Sequence, residues 1–194
     1  MSPERLARLE ALLDKQEIHE RLTAFSRGMD RFDHASFSDA FWPDATIAAG
    51  PFVGTPEECW AWSIPMHDAG QVLTHHALLN CTIDIAGDTA HTETYYLFVA
   101  RNRDDSVWQA GGRYVDRFER RTGEWRIAMR HNAIEWSCIP PAMPIPFGDV
   151  VHRRLVGGGP DSREDGEHNQ QLDPSSHESF PAVAGGTTRT RTLH

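Results

Sequence analysis

Long apolar runs are missing from this 194-residue chain. No stretch approaches the roughly 18–20 consecutive apolar residues that a membrane-spanning helix needs. The N-terminal segment, Met1 to Leu13, alternates charge with leucine and lacks the apolar centre of a secretory signal. Basic charge is also short. The 19 Lys and Arg stand against 28 Asp and Glu, a formal net charge of -9 with a pI near 5.6. Such a balance is ill suited to gripping a nucleic-acid backbone or an anionic membrane surface. Neither partner is expected, and cytoplasmic residence is.

Cysteine is scarce. Cys59, Cys81 and Cys138 are an odd number with no CxxC spacing, which argues against a disulfide scaffold or a zinc knuckle. Their ordinary role is that of small buried apolar side chains. The 11 histidines are scattered, with no HExxH, and no acidic run of EF-hand type occurs. No metal dependence is therefore expected. A glycine-rich phosphate cradle is absent too, since Gly157-Gly158-Gly159 follows no strand-to-helix pattern. No GxSxG elbow occurs. Phosphoryl transfer and serine hydrolysis drop out.

What is present reads as a globular domain, 39% hydrophobic and 24% charged. The composition changes near position 155, and from Gly157 onward Gly, Pro, Ser, Thr and charge dominate. Such a segment buries too little apolar surface to offset the entropy of ordering it. The expected division is a folded domain over residues 1–150 and a mobile tail over 151–194. Ile139 to Phe147, IPPAMPIPF, is expected to form an extended apron over the core, with Ile145 and Phe147 near the mouth of any pocket.

The folded part divides into helices first and strands second. Over residues 3–32, Leu6, Leu9, Leu12, Leu13, Ile18, Leu22, Phe25 and Met29 recur at three- and four-residue steps. That spacing marks one face of a long amphipathic helix. Asp33 can cap a short second helix through Trp42, which Pro43-Asp44 ends. Ala45 to Val53 reads as a strand pair. Thr55-Pro56-Glu57-Glu58 is a helix start with a capping box, and that helix is expected to run to about Met66. Four strands follow: Val72 to Ile85, His91 to Asn102, Val107 to Arg120 and Trp125 to Trp136, joined by short polar turns. Gly111-Gly112 suggests a bulge or sharp bend. The fold class is α+β. A curved antiparallel sheet with helices on its concave face would enclose a pocket.

With "FSRGMDRFD" ending the long helix, then "FWPDATI", "THHALLNCTIDI", "AHTETYYLFV" and "GGRYVDRFERRTGEWRIAMRH", residues 5–150 resemble the SnoaL-like branch of the nuclear transport factor 2-like superfamily. The resemblance implies a cone: a curved antiparallel sheet wrapped on a long N-terminal helix, with an apolar pocket open at one end. Members include scytalone dehydratase, bile-acid dehydratase, hexachlorocyclohexane dehydrochlorinase, ketosteroid isomerases and formaldehyde-releasing lyases of aromatic diols. Other members, the small subunits of ring-hydroxylating dioxygenases, carry no chemistry. The implied theme is proton abstraction beside an activating group without a cofactor.

The resemblance assigns candidate residues. Asp30 near the end of the long helix corresponds to the Asp that faces the pocket and pairs with a His. His76, with Asn80 four residues on, matches the family's His and Asn. On a strand His75 and His76 face opposite ways, so only one looks inward. A His with a carboxylate on its other ring nitrogen is a general base of fixed tautomer. Arg130 matches the Arg that follows the hairpin Trp and would stabilise developing negative charge. Strict alternation from Ile127 and Met129 would put His131 inside instead, and a bulge would reverse this. Phe25 is a departure, since relatives carry Tyr or Lys there as a proton donor or electrostatic aid. Tyr95 or Tyr96 could supply a hydroxyl, one of them facing in. Trp60, Trp62 and Phe52 would give aromatic walls for a flat substrate.

The expected function is a cofactor-independent lyase, of dehydratase or formaldehyde-releasing type. Its substrate would be small, apolar, and aromatic or alicyclic, in the catabolism of aromatic compounds. An isomerase using the same dyad and a non-catalytic binding or assembly module are the alternatives. Because the outer face of such a sheet commonly packs on a partner, a homo-oligomer, dimer or trimer, is expected.

Overall fold

The computed structural model describes residues 1–141, so the expected tail and most of the proline-rich apron lie outside the described residues. Helix α1 spans Pro3–Arg31, capped by Ser2 and ended by Phe32 in the left-handed region at φ 56. A short α2, His34–Asp39, starts on Asp33, whose side chain accepts from the Ser36 N–H. Strands β1 (Phe41–Ala49) and β2 (Phe52–Gly54) precede α3 (Pro56–Gly70). Strands β3 (Gln71–Ala86), β4 (Thr89–Asn102), β5 (Val107–Arg121) and β6 (Glu124–Cys138) complete the domain.

The six strands form one sheet in the order β2-β1-β6-β5-β4-β3. All neighbours are antiparallel except β1 and β6, which run parallel. The second helix is shorter than the sequence suggests, and β1 begins at Phe41, ahead of Pro43 rather than after it. The reason is the β1–β6 register. Phe41 faces Ile127 while Thr46 faces Met129, so the intervening residues of β1 loop past the ladder. Pro43 therefore forfeits no sheet hydrogen bond.

Helix α3 carries the expected capping box. Thr55 Oγ1 accepts from Glu58 N–H at 3.3 Å and Glu58 Oε2 accepts from Thr55 N–H at 2.8 Å. It runs past Met66 to Gly70 despite Pro65. Proline removes one helical donor but has the right φ, and burial of His67 in the turn that follows compensates. This extra turn carries His67 into the interior.

The core lies between α1 and the concave face of the sheet. Ile18, Leu22, Phe25 and Met29 pack with Phe37, Phe41, Phe118 and Ile127, all buried. Each such side chain contributes about 1.5–3 kcal/mol. The middle of α1 is pinned to the β5–β6 hairpin at Asp14. One carboxylate oxygen accepts from Trp125 Nε1 at 3.0 Å and from Arg120 Nη1 at 2.8 Å. The apolar stripe does not stay buried along its length. Leu6, Leu9, Leu12 and Leu13 are exposed among the described residues, because the sheet begins to cover α1 only near Ile18.

Two irregularities shape the sheet. Gly111 faces Trp136 and Gly112 faces Ile134, so β6 carries an extra residue against the glycine pair. A Cβ on Gly112 would sit 2.0 Å from the Ala133 carbonyl oxygen, which is why the expected bend falls on glycine. Further along, Arg117 faces Met129 but Phe118 faces Ile127. Ala128 is the inserted residue, and beyond it the inward and outward faces of β6 exchange.

Candidate active site

The last turn of α1 meets the start of β3. Ser26 and Asp30 stand four residues apart and so project from one face of the helix. Both grip His76. The Ser26 hydroxyl donates to the His76 carbonyl at 2.6 Å. The Asp30 carboxylate accepts from the His76 backbone N–H at 2.9 and 3.1 Å and from ring Nδ1 at 2.6 Å. A carboxylate can only accept, so the Nδ1 proton stays on the ring and Nε2 is the basic nitrogen. His76 is buried. Its ring lies against Phe98 at 4.8 Å, its cross-strand partner, and against Phe25 at 6.1 Å.

Deeper in, Arg130 and Asp116 face each other across β6 and β5. Arg130 is 2% exposed. Its Nε and Nη2 donate to the two Asp116 oxygens at 2.8 and 2.6 Å. The guanidinium lies 4.0 Å from the Phe25 ring and 4.3 Å from that of Tyr114. Its Nη1 is buried with no hydrogen-bond partner among the described residues. The Ala128 bulge is what turns Arg130 inward. His131 is correspondingly on the outer face and exposed, so it is not a pocket residue.

Phe25 sits between the two polar pairs, near His76 on one side and Arg130 on the other. An apolar ring in that position separates the two pairs. Tyr96 is buried and stacks on Tyr114 at 4.4 Å, while Tyr95 points outward and is exposed. Burial pushes both the Tyr96 and Tyr114 phenols up. Both stay neutral O–H groups at ordinary pH.

Residues 10–131 match the SnoaL-like domain. The chain belongs to the SnoaL-like family. Among curated proteins no sequence matches it. Its fold is similar to the crystal structure of a type 2 hexachlorocyclohexane dehydrochlorinase, LinA, with a TM-score of 0.66 at 16% identity, covering 73% of this chain and 99% of that one. A putative scytalone dehydratase from Novosphingobium aromaticivorans DSM 12444 gives 0.60 at 18% identity, covering 71% and 95%. The Kfla4162 protein from Kribbella flavida gives 0.60 at 17%, covering 66% and 94%. At these identities the likeness is one of fold. No described helix is long and apolar enough to cross a membrane.

Within this SnoaL-like domain the remaining candidates fall in different places. Trp60 packs on Phe37 at 5.1 Å and His34 at 4.9 Å, on the α2–α3 side, and does not meet the dyad. Trp62 stacks on Phe52 at 5.2 Å and is exposed. Asn80 is exposed, because β3 bulges between Leu78 and Cys81 and carries it away from His76. His75 points out, as alternation requires.

Three residues at the site were not anticipated from sequence: His67, Tyr114 and Asp116. Tyr114 and Asp116 alternate inward along β5 with Phe118, a pattern visible in the sequence. An Asp on the apolar face of a strand was the available signal. His67 ends a stripe of Cys59, Ser63 and His67 at four-residue steps, the face that α3 buries.

Proposed function

We propose that this chain is a cofactor-independent lyase acting on a small, largely apolar, aromatic or alicyclic substrate. One observation carries the reading: the Asp30 carboxylate on His76 Nδ1 at 2.6 Å in a buried, aromatic-walled position. That arrangement supports His76 Nε2 as the general base, with Asp30 as the positioning residue that stabilises the imidazolium formed. Phe25, Tyr96, Phe98 and Tyr114 supply aromatic walls that suit a flat substrate. The SnoaL-like family and the dehydrochlorinase and dehydratase folds support a lyase among the chemistries the fold carries.

Arg130 has a narrower part than a free guanidinium would. Asp116 already balances its charge, which weakens it as a counter-ion for a departing halide. The Nη1 hydrogens remain, and they suit a neutral oxygen that gains charge in the transition state, such as a carbonyl becoming an enolate.

Incubation of the protein with β-hydroxy ketones, aryl diols and haloalkanes tests the proposal, followed by ultraviolet absorbance and mass. Loss of water, halide or formaldehyde that Asp30→Asn and His76→Ala both abolish is the expected result. Double-bond migration without loss of mass would make the chain an isomerase that uses the same dyad. Turnover indifferent to both substitutions would place the chemistry elsewhere. The reading includes a homo-oligomer, which exposed Tyr95, Val115 and Met129 on the outer sheet face support; sedimentation of the pure protein measures it.

A further inference from the structure

Beyond the sheet, the apolar stripe of α1 also swings round the helix. Nine positions separate Leu9 from Ile18, and nine separate Leu13 from Leu22. That is about two and a half turns, so the early leucines point away from the side that packs on the core. Ile18 and Leu22 are buried, whereas Leu6, Leu9, Leu12 and Leu13 are 41–68% exposed. Every residue from Met1 to Leu13 is exposed. Asp14 marks where the sheet takes hold, through Trp125 and Arg120. The helix thus projects about 16 Å ahead of the domain and carries its leucines into water.

The early stripe has a seven-residue repeat. Leu6 and Leu13 take the first position of successive heptads and Leu9 the fourth, the seam along which helices pair. Arg5 flanks that seam on one side and Glu10 on the other. When two such helices lie parallel about a two-fold axis, opposite flanks meet. Arg5 of one copy then reaches Glu10 of the other, and the contact occurs twice. An antiparallel pair would set each flank against itself, with Glu10 and Glu17 facing the same two acids of the second copy. Charge therefore selects the parallel arrangement. Past Leu13 the seam turns polar at Gln16 and Glu20, so the contact ends where the sheet takes hold.

We propose that the leading end of α1 is a docking surface for a second copy of this chain. The two helices lie parallel, packed through Leu6, Leu9 and Leu13 and fixed in register by the Arg5–Glu10 pairs. The contact is separate from the outer sheet face and does not depend on the catalytic reading. Two heptads are too short to be stable helices as free peptides. Here the packed half of α1 already fixes the helix, so pairing orders little new backbone. The core-facing side of each helix points away from the other copy, which puts the two domains on opposite sides of the pair.

Sedimentation of the full chain across a concentration series tests this. Leu9→Glu should raise the dissociation constant about a hundredfold or more, so that the mass falls to about half that of the wild type. Arg5→Glu should weaken the pair about tenfold, and Arg5→Glu combined with Glu10→Arg should restore it. In a Cys138→Ser background, Leu6→Cys, Leu9→Cys and Leu13→Cys should each oxidise to a covalent dimer, because only parallel helices set every seam position against itself. Cross-linking at just one of the three would mean an antiparallel pair and overturn the proposal. A mass that falls in Val115→Glu but not in Leu9→Glu would place the interface on the sheet face and overturn it too. So would a monomeric wild type, whether or not its helix binds phosphatidylcholine vesicles through the same leucines.

Discussion

Asp30 holds His76 at two points, the ring Nδ1 at 2.6 Å and the backbone N–H at 2.9 Å. The same carboxylate thus docks α1 on β3 and orients the imidazole. The two jobs separate under substitution. Asp30→Asn keeps an oxygen for the backbone N–H but removes the charge that favours the imidazolium. Turnover should fall by about 10²–10⁴-fold while the fold persists. Asp30→Ala should also destabilise the protein by about 1–3 kcal/mol, since a buried N–H loses its acceptor. Steady-state kinetics and urea unfolding of the two variants read the difference.

The Arg130–Asp116 pair is buried on both sides. Breaking it leaves one uncompensated charge in an apolar interior. Asp116→Asn and Arg130→Met should each cost about 3–5 kcal/mol. A double variant, Asp116→Leu with Arg130→Met, should recover most of that loss, because no unpaired charge remains. Chemical denaturation of the three proteins completes the cycle, and additive losses would mean that the pair does not act as a unit.

Neighbouring glycines at the bend should respond unequally. A methyl group on Gly112 meets the Ala133 carbonyl oxygen at 2.0 Å, which is backbone and cannot step aside. On Gly111 it meets the indole of Trp136 at 2.4 Å, a half-exposed side chain able to rotate. Gly112→Ala should therefore destabilise by more than about 3 kcal/mol, and Gly111→Ala by about 1–2 kcal/mol. Thermal unfolding of both variants would show the order.

Burial holds the Cys59 thiol up to about 11, with the nearby Arg130 charge pulling the other way. The unfolded thiol ionises near 9.0. Between those values the unfolded chain releases a proton that the folded chain keeps, so stability falls as pH rises. The loss reaches about 2–3 kcal/mol once both forms ionise. Cys59→Ala removes this contribution. Its unfolding free energy should decline less steeply than that of the wild type above pH 9. Cys59 should also resist alkylation at neutral pH in the folded protein.

Much of this molecule is local in origin. The four long strands, their turns and the Thr55–Glu58 capping box follow from alternation and from residues a few positions apart. Local chemistry decides them, and the structure places β3 to β6 within a few residues of the expected ranges. Helix α1 was equally legible as a helix. How far its leucine face is covered was not, because that depends on where the sheet begins.

Residue chemistry set the inventory of this protein: an acid at the end of a long helix, a histidine on a strand, an arginine after the hairpin tryptophan, and glycines where the sheet bends. Tertiary structure decided which of them meet. Inserting Ala128 in β6 moves Arg130 to the interior and His131 to the surface. Side chains alternate every residue along a strand, so a single unpaired residue exchanges the faces. Whether that residue is inserted depends on the pairing with β5, where Arg117 faces Met129 and Phe118 faces Ile127. The extra turn of α3 beyond Pro65 is settled in the same way, by burial of His67 against His76 and Phe98. Periodicity marks which residues can face inward together; only cross-strand pairing and packing choose among them.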